Sequence, residues 1–170
     1  MEHDDHVAGE PNAPVMLLEY GNYLSPESAR LHGVIDGVKR RYDRGDLRHV
    51  FRFVPMPEEY PAAQLAAEAA EAAAARGKFW EMHRRLMEAQ HLFAPGFLTW
   101  HAAAIGLNFA AFVREMNLRI HAHRATRHAA AAERAGLHRH PSLFVNGRRM
   151  KPNADAGSVC RAIDEMLVEA

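Results

Sequence analysis

The chain has 170 residues, which fits one domain and is long enough to bury a hydrophobic core. Its 21 lysines and arginines balance 21 aspartates and glutamates, so net charge gives no indication of nucleic-acid binding. A single cysteine, Cys160, excludes an intramolecular disulfide. The polar first residues lack a secretory signal, and no apolar run approaches membrane-spanning length. We therefore expect a cytoplasmic protein with no membrane or nucleic-acid partner and an unknown oligomeric state.

The first predicted elements form a strand–helix–strand unit. Residues 15–20 are a short apolar run that is typical of a buried strand. Ser25 and Pro26 then predict a helix start, because serine is a good N-cap and proline suits the first helical position. Residues 47–54 alternate in hydrophobicity and predict a second strand. A strand, a helix and a strand in one sheet imply a right-handed crossover.

The middle of the chain is predicted to be helical, beginning with an alanine-rich segment of high helix propensity at residues 61–75. We interpret residues from about 56 to 118 as a helical insert in a single domain that spans residues 1–170. Large aromatic side chains are predicted to form the core of this insert, or in part to line an interaction surface above Ser25. They are Phe79, Trp80, Phe93, Phe97 and Trp100.

The C-terminal part predicts a β-hairpin followed by a helix. Residues 141–145 have a strand pattern, and Asn146-Gly147 is a strong signal for a tight hairpin turn. Residues 148–150 form the return strand, and the last helix carries Cys160 on its apolar side. The predicted order is β-α-β, a helical insert, then α and β-β-α, which is an α/β fold.

Three segments resemble bacterial DsbA-type thioredoxin-like oxidoreductases. They are residues 5–23, ending in Glu-Tyr-Gly-Asn-Tyr, residues 64–83, ending in Gly-Lys-Phe-Trp-Glu-Met-His, and residues 141–148, Pro-Ser-Leu-Phe-Val-Asn-Gly-Arg. The resemblance covers nearly the whole chain and implies a thioredoxin fold with an inserted helical subdomain. It also implies that Pro141 is the family's cis-proline, which lies beside the start of the active-site helix.

The chain departs from this family where the redox cysteines belong. Ser25-Pro26-Glu27-Ser28 stands in place of the family's Cys-Pro-x-Cys. Disulfide exchange needs a reactive thiolate and a second thiol, which serine hydroxyls cannot replace. Cys160 is expected to be buried in the last helix, remote from this site. We therefore predict a redox-inactive protein, and the sequence leaves open whether it catalyses another reaction.

The resemblance implies that the non-redox half of the site is retained as a groove for a peptide or a small thiol ligand. No cofactor is required, although glutathione is a candidate ligand. The predicted ligand-binding residues are Ser25, Pro26, Ser28, His140, Pro141, Ser142 and Asp155.

An alternative comes from the Ser25-Pro26 pair, which resembles the helix start of kappa-class glutathione transferases and hydroxychromene-carboxylate isomerases. That resemblance implies a glutathione-dependent enzyme in which Ser25 activates the glutathione thiol and Asp155 binds the γ-glutamyl amine. The simpler interpretation is that Ser25 and Asp155 are helix caps.

Twelve histidines raise the question of a metal site. His121 and His123 are two residues apart on a predicted helix and face different ways. His138 and His140 lie in one loop, but no carboxylate or thiolate is near them in the sequence, and structural zinc sites need four ligands. We therefore predict no metal site and interpret these histidines as solvated surface residues.

Overall fold

The computed structural model describes residues 5–43, 45–54, 60, 62–90, 94–137 and 141–168. Its centre is a five-stranded mixed sheet with the strand order β1-β3-β2-β4-β5. The strands are β1 (His6–Gly9), β2 (Val15–Gly21), β3 (Leu47–Phe53), β4 (Ser142–Val145) and β5 (Arg148–Arg149). β2 and β3 are parallel, and the other neighbouring pairs are antiparallel.

Seven helices are described around this sheet. They are α1 (Pro26–Lys39), α2 (Ala63–Ala74), α3 (Phe79–Glu88), α4 (Pro95–Ala104), α5 (Phe109–Asn117), α6 (Ala122–Arg134) and α7 (Ala156–Val168). The predicted order of strands and helices is confirmed, with one strand added. β1 was missed because it is only four residues long and lies at the sheet edge, where its own sequence shows little apolar pattern.

Two hydrophobic clusters hold the helices on the sheet. The first joins β2 and β4 to α1 and α7, with Leu17, Ile35 and Ile163 fully buried. The second joins Phe51 and Phe53 of β3 to the helices α2 to α5. Since β2 is central and pairs with β3 and β4, the chain leaves its carboxyl end deep in the molecule and enters α1 directly.

The prediction that the large aromatic side chains form the core of the insert is wrong for two of them. Phe79 is buried, but Phe97 is 43% exposed and Trp100 is 56% exposed. α4 is apolar on most sides and buries only Leu98, His101 and Ala102, so its other aromatic side chains face outward. Phe93 lies outside the described residues.

Candidate functional site

The start of α1 is held by the two serines that occupy the family's cysteine positions. Ser25 is the N-cap, and its hydroxyl oxygen accepts a hydrogen bond from the backbone N–H of Ser28 at 3.2 Å. The same hydroxyl donates to Glu27 Oε2 at 2.9 Å. Ser25 and Ser28 are both fully buried. The predicted N-cap is confirmed, and the Ser25 hydroxyl is engaged within its own helix turn.

Asn22 braces the turn that leads from β2 into α1. Its backbone N–H donates to the Ser28 hydroxyl at 3.0 Å, and its side-chain oxygen accepts from the Leu24 N–H at 2.8 Å. Its side-chain amide donates to the Val54 carbonyl at 3.0 Å. These bonds satisfy the buried polar groups of the turn, so the helix start is rigidly placed without a disulfide.

The structure brings most of the predicted ligand-binding residues to this end of the sheet. Pro26 is exposed beside the buried serines, and Pro141 is half-buried. Ser142 is the β4 partner of Tyr20, two residues before Asn22, which places Pro141 at the carboxyl end of β2. Ser142 itself is buried, and its hydroxyl accepts from Arg149.

Of the other two predicted ligand-binding residues, Asp155 and His140, the structure describes only Asp155. Asp155 is an exposed cap of α7, where Oδ1 accepts from the Ser158 N–H at 2.7 Å. Its segment is fixed against α1, because Arg30 donates to the carbonyl oxygens of Pro152 and Ala154. His140 and its bond to Pro141 lie outside the described residues, so the cis configuration stays a prediction.

An exposed apolar surface lies on α4, which follows the α3 segment in the chain. The Gln90 side-chain amide donates to the Ser25 carbonyl at 2.6 Å, which fixes the end of the α3 segment against α1. α4 begins five residues later, and its N-terminal part forms a shallow apolar hollow. The hollow is lined by Ala94, Gly96, Phe97 and Trp100.

The only cysteine takes no part in this site. Cys160 is buried within α7, in the hydrophobic cluster that α7 shares with α1. Its burial confirms the sequence prediction. A buried thiol in apolar surroundings is a poor nucleophile.

Behind the helix start lies a buried polar cluster that the sequence analysis missed. His49 Nε2 lies 2.9 Å from Glu19 Oε2, and His83 Nε2 lies 3.3 Å from His32 Nδ1. The Tyr23 hydroxyl contacts His83 Nδ1 at 3.2 Å. The interpretation of the histidines as solvated surface residues does not extend to these rings. Among the residues that the structure describes, five histidines are buried, namely His6, His32, His49, His83 and His101.

Burial controls the protonation of this cluster. Burial raises the pKa of Glu19 to about 7, against the lowering effect of the nearby His32. Burial lowers the pKa of His49 to about 3 and holds the pKa of His83 well below its usual range. The pKa of His32 is also lowered by burial. The three imidazoles are therefore neutral at pH 7.

No sequence motif reveals this cluster, because its members come from separate elements. Glu19 lies on β2, His32 on α1, His49 on β3 and His83 on α3. The available signal was a glutamate inside an otherwise apolar strand, which is costly to bury unless it has partners.

Comparison with known proteins places this geometry in a family. A family model described as thioredoxin matches residues 2–165, which is nearly the whole chain. The chain belongs to the thioredoxin family. It is a member in which serines occupy the cysteine positions at the start of α1.

Solved structures share the whole architecture. The oxidised form of BdbD from Bacillus subtilis superposes with a TM-score of 0.88 at 22% identity, covering 97% of this chain and 94% of that chain. Alpha-DsbA1 from Wolbachia pipientis gives a TM-score of 0.86 at 18% identity, covering 99% and 94%. The predicted DsbA-type thioredoxin fold with a helical subdomain is confirmed.

A closer sequence relative is the Na(+)/H(+) antiporter NhaA 1 of Mycobacterium sp. (strain KMS). It is 40% identical over 164 residues, which cover 94% of this chain but 26% of the relative. The chain thus spans about a quarter of the length of the curated relatives that it matches. Within the described residues, this thioredoxin-family chain has no helix that is long and apolar enough to cross a bilayer.

Proposed function

We propose that the chain is a redox-inactive, DsbA-like module that binds an extended peptide at the start of α1. The observation that carries this proposal is the replacement of both redox positions by Ser25 and Ser28, whose hydroxyls are buried in hydrogen bonds of the chain itself. The thioredoxin fold is retained around them. The site therefore has no thiol for disulfide exchange, although the fold around it is that of the family.

The surface around the helix start supports binding of a peptide. Pro26 and Glu27 are exposed, and Pro141 is half-buried at the neighbouring strand end. Phe97 and Trp100 present apolar area on α4, and Gln90 at the end of the α3 segment donates to the Ser25 carbonyl at the helix start. Large exposed apolar side chains that cluster on one face are typical of interaction sites. The peptide would lie across α1 and α4.

The test uses a client that cannot form disulfides. We would label S-carboxymethylated, permanently unfolded ribonuclease A and measure its binding by fluorescence anisotropy. The double variant Phe97→Ser with Trp100→Ser should weaken binding about tenfold, because removal of a few apolar anchors loses most of an interface's binding energy. The matched control is Val168→Ser, which removes an apolar side chain that is 88% exposed on α7.

Binding that the α4 double variant lowers and the α7 variant leaves unchanged supports the proposal. An absence of binding to wild-type protein, or equal binding by all three proteins, contradicts it.

Glutathione provides a second arm of the same test. We expect no conjugation of glutathione to an electrophile such as 1-chloro-2,4-dinitrobenzene, because the Ser25 hydroxyl already donates its hydrogen bond to Glu27. Conjugation by the wild-type protein that Ser25→Ala abolishes would replace the peptide-binding proposal with a glutathione-dependent enzyme.

A further inference from the structure

We propose that Glu19, His32 and His83 form a binding site for a divalent transition-metal ion, with Zn²⁺ as the reference ion. One ligand atom from each of the three residues lies within 4.8 Å of the others, and all three side chains are buried. Two imidazoles and one carboxylate are a donor set that zinc accepts with its fourth position open. This site is separate from the proposed peptide surface and does not depend on it.

The two imidazoles already have the separation that an ion requires. His83 Nε2 and His32 Nδ1 are 3.3 Å apart. Zn–N bonds of about 2.0–2.1 Å in a tetrahedral arrangement place two ligand atoms about 3.3 Å apart. An ion between the rings therefore takes the place of the hydrogen bond, with little movement of either side chain.

One carboxylate oxygen of Glu19 is buried without a hydrogen bond to any described residue, which is energetically unfavourable. Its Oε2 is held by His49 at 2.9 Å, whereas Oε1 has no hydrogen-bond partner among the residues that the structure describes. The side chain is fully buried on β2. A buried carboxylate oxygen without a partner carries a desolvation penalty, which a bound cation would remove.

Each of the two imidazole ligands faces a second residue that can orient it. The Tyr23 hydroxyl faces Nδ1 of His83 at 3.2 Å, and an Asp36 oxygen lies 3.5 Å from Nε2 of His32. When the ion displaces the proton between the rings, each ring keeps its remaining proton on the nitrogen that faces tyrosine or aspartate. Such outer partners are the usual companions of metal-bound histidine.

The charges around the cluster fit a divalent ion. Glu19, once it gives up its proton to bind the ion, and Asp36 together offer two negative charges. Lys39 lies 3.7 Å from Asp36 and opposes them in part, because its charge also acts on Glu19, His32 and His83. Asp36, which lies beside His32, is one-third exposed to solvent. The ion would join β2, α1 and α3, which are three elements distant in sequence.

The experiment titrates Zn²⁺ into protein that carries no affinity tag and has been treated with a chelator. Calorimetry and competition with a chromogenic chelator should show one ion per chain in the wild-type protein. Glu19→Gln and His32→Gln should each weaken binding more than about tenfold. Loss of an outer partner of a metal site typically weakens binding at least about tenfold, and these residues are direct ligands. Zn²⁺ should also raise the melting temperature of the wild-type protein but not of the variants.

Two histidines outside the cluster supply matched controls. His101→Gln changes a buried histidine that contacts Arg85, and His123→Gln changes an exposed one on α6. Both proteins should bind Zn²⁺ as the wild type does. X-ray absorption at the zinc edge of wild-type protein should show two imidazole ligands, which tests the site even where a cluster variant fails to fold.

The proposal is overturned by any of three results. They are an absence of stoichiometric binding, binding that survives both cluster variants but is lost in His123→Gln, and a zinc shell without imidazole. In the first case the cluster is a hydrogen-bonded chain from Tyr23 through His83 to His32.

Discussion

Ser25 shows how a single substitution changes what a helix start can do. A thiolate at this position would be stabilised by the helix N-terminus. The serine hydroxyl instead accepts from the Ser28 N–H and donates to Glu27. The helix dipole that would activate a sulfur therefore only stabilises the first turn of α1. The chemistry of the position has become structural.

Loss of the Ser25 hydroxyl is expected to destabilise the protein without affecting any redox property. Ser25→Ala should lower the free energy of unfolding by about 1 kcal/mol, because the Ser28 N–H loses its cap. Urea denaturation followed by circular dichroism measures this change.

The control for this variant is Thr126→Ala, which removes an exposed hydroxyl that bonds only back to Ala122 in α6. It should change stability by less than about 0.5 kcal/mol. Equal losses in the two variants would show that Ser25 is not an effective cap.

The sequence predicts such local residue roles well and distant ones poorly. Ser25 was readable as an N-cap because a cap is decided within about four residues of chain. The meeting of His32 with His83 was not, because these residues are 51 positions apart and become neighbours only when α1 packs on α3. Their burial depends on tertiary packing, which residue patterns do not specify.

At the scale of elements, α2 is the helix around which the helical subdomain is built. Most of its alanines are fully buried, among them Ala66, Ala69, Ala70 and Ala72. Alanine gives the helix its propensity and also allows neighbouring helices to approach closely. The sequence predicted the helix from the first property, but it could not show that nearly every side of the helix is covered. The outward side chains of α4 were not predicted either, because the sequence could not show which sides of that helix are left uncovered.

Enlarging a buried alanine of α2 should therefore be more harmful than its conservative chemistry suggests. Ala70→Leu should lower the free energy of unfolding by about 1–3 kcal/mol, since overpacking displaces neighbouring side chains. Thermal unfolding monitored by circular dichroism measures the loss.

The same substitution at Ala75, the exposed C-cap of α2, provides the control. Ala75→Leu should leave stability within about 0.5 kcal/mol of the wild type. A well-tolerated Ala70→Leu would mean that α2 is less tightly covered than the structure shows.

An ion pair joins the end of α2 to α5 and gives a pH-dependent contribution. Arg76 donates to Glu115 Oε2 at 3.0 Å, and His121 contacts the same oxygen at 2.9 Å. The hydrogen bond from Arg76 lowers the pKa of Glu115 to about 2, and the hydrogen bond from His121 makes a smaller contribution in the same direction.

The sign of the pH effect follows from this depressed pKa. The contribution is complete above the ordinary glutamate pKa of 4.5 and is lost as the pH falls toward about 2. Glu115→Gln should lower stability by about 1 kcal/mol or less at pH 7, because the pair is partly exposed to solvent, and the difference should vanish near pH 2. Urea titrations at several pH values check this, and a difference that grows on acidification would contradict it.

At the scale of the whole molecule, the thioredoxin fold is present in a chain that has a single cysteine. Most of the architecture was predictable, because DsbA-like motifs run along nearly the whole chain and the strand and helix patterns agree with them. The fold does not need the cysteines, since two hydrophobic clusters and the hydrogen bonds of Asn22 hold the helix start in place. A ligand could not be predicted in the same way, because binding depends on exposed side chains and these carry no periodic pattern.

The most direct test of this account compares dithiol activity in two proteins. Wild-type protein should not accelerate the reduction of insulin by dithiothreitol, because Ser25 and Ser28 cannot form a disulfide. The double variant Ser25→Cys with Ser28→Cys should accelerate it, since both positions lie at the N-terminus of α1, where a thiolate is stabilised. Acceleration by the wild-type protein that Cys160→Ser abolishes would contradict the account, and an inert double variant would show that the helix start no longer presents a redox geometry.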